Sequence, residues 1–157
     1  MTHARAVVGR SIKSVMENNV ILQVGVKVIL ENEQGEYLLL RRSLDKYPEV
    51  KGRWDIVGGR INPGQKLIEN LRREIREETG LKLIDVPRLI AAQDIIPNVE
   101  RHVVRLTYVG KAEGNIVLDT SENDLYRWYS FEELQALHDV DIYFKELLNI
   151  KSLWRKE

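Results

Sequence analysis

The sequence of 157 residues contains no cysteine. Disulfide bridges, thiolate nucleophiles and zinc–thiolate sites are therefore excluded, and with them every activity built on a catalytic cysteine. Neither sign of charge is in excess: 24 basic and 24 acidic side chains cancel. That balance argues against a broad surface for polyanions such as nucleic acid. No apolar run approaches membrane-spanning length. Val7-Val8 is too short for the apolar region of a secretory leader, and Arg5, Arg10 and Lys13 interrupt that stretch. Repeats, low-complexity tracts and interdomain linkers are also missing. The expectation is a soluble, cytoplasmic protein with no membrane partner, long enough to bury one real core.

What the chain does have is negative charge concentrated where a helix does not profit from it. Residues 73–81 read Arg73-Glu74-Ile75-Arg76-Glu77-Glu78-Thr79-Gly80-Leu81. On an α-helix Glu74, Glu77 and Glu78 project from one face within about one turn. Glu74 and Glu78 are like charges at i,i+4, and Glu77 and Glu78 lie in the last turn, where the dipole favours cations. Each penalty is a few tenths of a kcal/mol, and all have the same sign. A bound divalent cation is the simplest offset.

Around this segment the hydrophobic pattern predicts strands over 20–31, 37–41 and 54–57, with turn chemistry at Asn32–Gly35 and a polar loop over 43–52. A helix follows from about Lys66 to Thr79, with an apolar stripe of Leu67, Ile68, Leu71 and Ile75 and with Gly80 closing it. Two strands are expected over 82–96 and 101–112, joined around Pro97-Asn98, and a short one over 126–129. Ser130 and Glu133 form a capping box opening a helix, and Asp141 caps a last helix carrying Phe144, Leu147, Leu148 and Trp154. The order predicts an α+β fold, an α/β/α sandwich on a mixed β-sheet. Residues 1–19 read as an N-terminal extension packed on a domain of residues 20–157.

From Gly59 to Leu81 the spacing closely resembles the Nudix box: Gly, five residues, Glu, seven residues, then Arg-Glu-aliphatic-x-Glu-Glu-x-Gly-aliphatic. Gly59 and the whole second half match; Gln65 stands where the first Glu belongs. Gly52-Arg53-Trp54 and Gly58-Gly59 are also like the family. The resemblance implies a hydrolase of nucleoside diphosphates linked to another moiety, with Mg2+ as cofactor and Mn2+ as a possible substitute. By resemblance Glu77 and Glu78 are the main metal ligands and the Gly58 carbonyl a further one. Glu74 is either a ligand or the group that orients or deprotonates water, and Arg73 holds it by a salt bridge. Glu122, in the loop before Trp128, is a further metal-binding or base candidate, with Asp119 and Asp124 as local competitors and Glu100 as a weaker one. Arg42, Arg53 and Gly59 are candidates for substrate binding, and Trp54 for stacking on a base. Arg41 and Tyr47 are secondary candidates for the same roles.

The resemblance has departures. Gln65 keeps a carbonyl oxygen but loses the charge, and Asn62 and Lys66 also differ from the common pattern. Glu69, one turn beyond Gln65, is only partly aligned to compensate. Two readings follow: a hydrolase of modified nucleoside triphosphates or of nucleotide sugars such as ADP-ribose, and a Nudix-fold nucleotide-binding or regulatory module with weak catalysis. Isopentenyl-diphosphate isomerase chemistry shares the fold but needs the absent cysteine. A homodimer is expected from the apolar residues Val7, Val8, Ile12 and Val15, which call for a partner surface.

Overall fold

The computed structural model describes residues 19–155. Strand β1 (Ile21–Glu31) runs through the centre, and its second half is buried on both faces. Val26, Val28 and Leu30 enter one core, and Ile29 enters the other. The turn after it is fixed by Asn32, whose Oδ1 accepts from the Gln34 and Glu36 N–H groups at 3.0 and 2.9 Å. Strand β2 (Tyr37–Arg42) is likewise buried on both faces, with Leu38 and Leu40 on one side and Tyr37 and Leu39 on the other.

The strand expected over 54–57 is two strands, β3 (Trp54–Asp55) and β4 (Val57–Arg60). The chain changes partner at Ile56: β3 pairs with β2, whereas β4 pairs with β1. Helix α1 (Leu67–Thr79) buries Leu71 and Ile75 completely and ends on Gly80 at φ +69°. No side chain caps its start at Lys66.

The stretch expected as one strand over 82–96 is also two, β5 (Lys82–Leu83) and β6 (Arg88–Asn98). Pro87, which has no N–H to give to a ladder, sits in the break. Strand β7 (Arg101–Glu113) runs parallel to β1 from Ile21↔Arg101 to Glu31↔Lys111. Strand β8 (Asn123–Tyr129) pairs with β2 and starts earlier than expected. Helix α2 (Phe131–Ala136) opens with the capping box at Ser130, and helix α3 (Ile142–Leu148) with Asp141 as its cap. Trp154 belongs to a separate 3-10 turn, Lys151–Trp154.

Among the described residues the eight strands form one mixed sheet. One face packs against Leu71 and Ile75 of α1. The other packs against Leu134 of α2 and Phe144 and Leu148 of α3. This is the expected α+β sandwich. Among the described residues no helix is long and apolar enough to cross a membrane. Residues 1–18, which carry the expected extension and the apolar residues behind the dimer expectation, lie outside the described residues.

Candidate active site

The apolar stripe of α1 is buried against the sheet, so its acidic side rises past the end of β4. There the backbone of Gly58 and Gly59 passes unusually close. Gly58 has φ +135°, and a Cβ on it would strike the Val26 carbonyl. A Cβ on Gly59 would stand 2.8 Å from Glu74 Oε1. Position 58 therefore requires glycine, whereas a side chain at position 59 would displace the Glu74 carboxylate. The Gly58 N–H donates to Glu78 Oε2 at 3.2 Å. Burial pushes the Glu78 carboxyl up to about 7; the negative charges of Glu74 and Asp55 add to the rise, and Lys27 and the Gly58 N–H oppose it.

Arg73 links the rest of this surface. Its guanidinium donates to Glu74 Oε1 at 2.9 Å, Glu77 Oε2 at 2.7 Å, Asn70 Oδ1 at 3.0 Å and Gln65 Oε1 at 3.2 Å. Asn70 is fully buried and also accepts from the Asn62 N–H, which pins the loop between β4 and α1 onto the helix. Among the described residues no three His, Cys, Asp or Glu side chains already converge as a metal-binding group. Arg73 lies between Glu74 and Glu77, while Glu78 turns toward Gly58. The donor chemistry fits a hard cation: three carboxylates beside the Gly58–Gly59 backbone, with no sulfur or imidazole among them.

Glu78, Gly58 and Gly59 border a cavity of about 520 Å³. Its other walls include Lys27, Arg42, Asp55, Arg105, Glu122 and Asp141. Asp55 is 3% exposed and bonds to Lys27 Nζ at 2.9 Å, Arg105 Nη2 at 3.2 Å and Arg42 Nη2 at 2.5 Å. Burial alone would raise its pKa, but the charges of Lys27, Arg105 and Arg42 outweigh that and hold the carboxyl well below the usual range. Arg105 also reaches Asp141 Oδ1 at 2.8 Å.

The sequence candidates divide between the cavity and its surroundings. Glu78, Gly58, Gly59, Arg42 and Glu122 line it. Glu74 lies against Gly59, and Glu77 is exposed beyond Arg73. The carboxylate of Glu122 is bonded by Lys46 and by the Tyr47 hydroxyl. Arg53 does not line the cavity; it donates to the Arg42 carbonyl at 3.0 and 2.9 Å and to Asp124 at 2.6 Å, so it splints two chain segments. Asp124 is held by Arg53 and Arg41, and Asp119 by Ser121. Trp54 corrects the stacking expectation. It is 9% exposed and meets Tyr129 edge-on at 5.4 Å in the core, because pairing of β3 with β2 turns it inward.

Sequence reasoning missed Lys27, Asp55, Arg105 and Asp141. The available signal was charge inside apolar strands: Lys27 interrupts β1 and Arg105 interrupts β7, each among β-branched residues. A charge in such a position needs a partner or a ligand.

Known proteins resemble this chain in sequence and fold. The family model described as NUDIX domain matches residues 21–148. The nucleoside triphosphatase NudI of Salmonella paratyphi B is 33% identical over 141 residues, covering 80% of this chain and 93% of that protein. That of Salmonella agona is 32% identical, covering 74% and 89%. The crystal structure of a MutT protein from Methanosarcina mazei Go1 superposes with a TM-score of 0.70 at 27% identity, over 85% of this chain and 94% of that one. The E. coli ORF135 protein shares the fold with a TM-score of 0.69 at 22% identity, over 85% of this chain and 90% of that one. The chain thus belongs to the Nudix family and is a pyrophosphohydrolase of the Nudix type.

Proposed function

We propose that the protein hydrolyses the diphosphate linkage of nucleoside triphosphates with Mg2+ at the α1–β4 junction. One observation carries this reading: the acidic face of α1 is pressed against the Gly58–Gly59 backbone at the wall of the cavity. The triphosphatase name of the NudI relatives favours triphosphates over nucleotide sugars such as ADP-ribose.

Glu74, Glu77 and Glu78, with the Gly58 carbonyl, would hold the metal, and Mn2+ would substitute. When bound, magnesium neutralises phosphate charge and stabilises the charge that develops at the transferred phosphorus. The protein's own groups do the remaining work. Glu74, which Arg73 holds at 2.9 Å, would orient a water or take its proton. Glu78 and the Gly58 N–H set the position of the helix relative to the glycine edge. Arg42 brings positive charge to the cavity wall. Glu122 is a second acidic group facing the same cavity, and Lys46 and Tyr47 must release it before it binds metal or water.

The test is pyrophosphate or phosphate release from nucleoside triphosphates and 8-oxo-dGTP, and formation of AMP and ribose 5-phosphate from ADP-ribose, with and without Mg2+, for the wild type and Glu78→Gln. Triphosphate turnover that needs Mg2+ and drops by roughly 100-fold or more in the variant supports the reading. Turnover of ADP-ribose alone would move the substrate to the nucleotide-sugar branch. A variant as active as the wild type would remove Glu78 from the site.

A further inference from the structure

We infer that Lys27 is a positioning residue for the metal site: by tying the Ile56 carbonyl to the Asp55 carboxylate it fixes the Gly58–Gly59 backbone against which the acidic face of α1 closes. The inference rests on the metal placement proposed above and adds to it the residue that sets the glycine edge.

The observation begins at the change of partner between β3 and β4. Asp55 pairs with Leu40 of β2, and Val57 pairs with Val28 of β1. Ile56 stands between them, 2% exposed and in neither ladder. Its N–H and carbonyl are therefore cut off from strand partners and from water, and buried backbone groups of that kind need substitutes. Two side chains supply them. Asp55 Oδ1 accepts from the Ile56 N–H at 2.8 Å, and Lys27 Nζ donates to the Ile56 carbonyl at 3.0 Å. The same two side chains are joined to each other, Lys27 Nζ to Asp55 Oδ2 at 2.9 Å. An ion pair thus clamps the chain where it leaves one strand partner for the next.

Lys27 reaches Gly58 as well. Its backbone stands opposite Gly58 in the β1–β4 ladder, and a Cβ on Gly58 would come 2.8 Å from Lys27 Cα. Val57, between the clamp and the glycine, is completely buried and has no room to absorb a change of direction. Gly58 sits at φ +135° with no side chain to hold it there, so its neighbours impose the orientation of its peptide groups. Lys27 touches both ends of the Ile56–Gly58 stretch, by side chain at one and by main chain at the other. The Gly58 N–H in turn meets Glu78 Oε2 at 3.2 Å.

Stability does not account for a lysine here. Its strand neighbours Val26 and Val28 are fully buried, whereas a secluded ion pair is worth little more than apolar residues of similar volume. Charge balance alone makes the opposite prediction about the metal. An ammonium on the wall of the same cavity as Glu78 repels a cation, so its removal would tighten binding. A positioning role predicts that removal loosens binding, because losing a group that orients metal ligands costs roughly 10- to 100-fold in affinity.

The experiment is calorimetry of Mg2+ alone, without nucleotide, on the wild type, Lys27→Met and Lys27→Arg. It is run at about pH 9, above the value of about 7 for Glu78, so that this carboxylate is ionised in every protein. Lys27→Met is expected to bind Mg2+ on the order of tenfold more weakly. Lys27→Arg keeps the charge and has donors for both acceptors, and recovers most of the loss. Equal or tighter binding by Lys27→Met overturns the inference and leaves Lys27 a counter-charge for Asp55. A loss in Lys27→Arg as large as in Lys27→Met also overturns it. If Lys27→Met does not fold, Lys27→Gln, whose shorter amide cannot bridge both acceptors, is read by the same rule: weaker binding supports the inference, and equal or tighter binding overturns it. The two readings fail separately. A wild type that binds no Mg2+ defeats the metal placement and this inference with it, whereas Mg2+ binding that does not depend on Lys27 defeats only this inference.

Discussion

Arg73 Nε donates to Gln65 Oε1 at 3.2 Å, at the one position of the Nudix box where this chain lacks its glutamate. The amide keeps the contact with Arg73 and gives up the charge. The same guanidinium also serves Glu74 and Glu77, so Gln65 anchors the arginine without competing for a cation. Gln65→Glu is expected to restore a carboxylate beside the proposed metal ligands. The Mg2+ concentration for half-maximal rate should fall by a factor on the order of three to ten, the scale of one partly exposed charge. A Mg2+ titration of the initial rate checks this, and an unchanged midpoint would show that position 65 does not act on the metal.

Arg73 itself is a positioning residue, acting through Glu74. Arg73→Lys keeps the charge but cannot bridge Gln65, Asn70, Glu74 and Glu77 at once. The expected result is a kcat loss of roughly 10- to 100-fold, as for other groups that orient a ligand, with the nucleotide KM nearly unchanged. A rise in KM with kcat intact would place Arg73 on the substrate instead.

Local chemistry explains which features could be read in advance. The acidic run at Glu74, Glu77 and Glu78 stood out because spacing on a helix is a property of neighbouring residues. The capping box at Ser130 and the cap at Asp141 were legible for the same reason. The cavity network was not. Arg105 meets Asp55 across 50 positions of sequence and Asp141 across 36, and it takes the pairing of β1 with β7, of β3 with β2 and of Trp54 with Val140 to bring them together. Trp54 shows the converse error. Nothing in its neighbours reveals that β3 pairs with β2 and turns the indole onto Tyr129. The splitting of the 54–57 strand has the same origin, since a change of partner at Ile56 leaves no mark on residue type.

Asp55 should control the stability of the cavity wall. It is buried and bonded to Lys27, Arg42 and Arg105. Asp55→Asn leaves three cations short of one negative charge, and removing one partner of such a buried set costs about 3–5 kcal/mol. The pH dependence follows from the direction of the shift. The folded carboxyl lies well below its unfolded value of 3.8, so its contribution is complete above that value and is lost as pH falls below it toward the folded pKa. The wild type should therefore lose stability steeply below about pH 4, and Asp55→Asn less steeply from a lower starting point. Urea melts at a series of pH values test both slopes. Parallel curves for the two proteins would mean that Asp55 is not the group responsible.

Glu78 reverses that sign and links pH to the metal. Its folded value of about 7 lies above the ordinary 4.5, so the ionised group weakens the metal-free fold progressively as pH rises from 4.5 to 7. A cation needs that ionised form, and protons compete with it. Added Mg2+ should therefore stabilise the protein more at about pH 8 than at about pH 6. At a hundred times its Kd the ion contributes about 2.7 kcal/mol, which for a domain of this size raises Tm by roughly 5–10 °C. EDTA should abolish both the shift and the turnover, and excess Mg2+ should restore them. Glu78→Gln should lose the Mg2+ shift and the pH dependence together. A Mg2+ shift of equal size at both pH values, or one that survives in Glu78→Gln, would place the ion elsewhere on the protein.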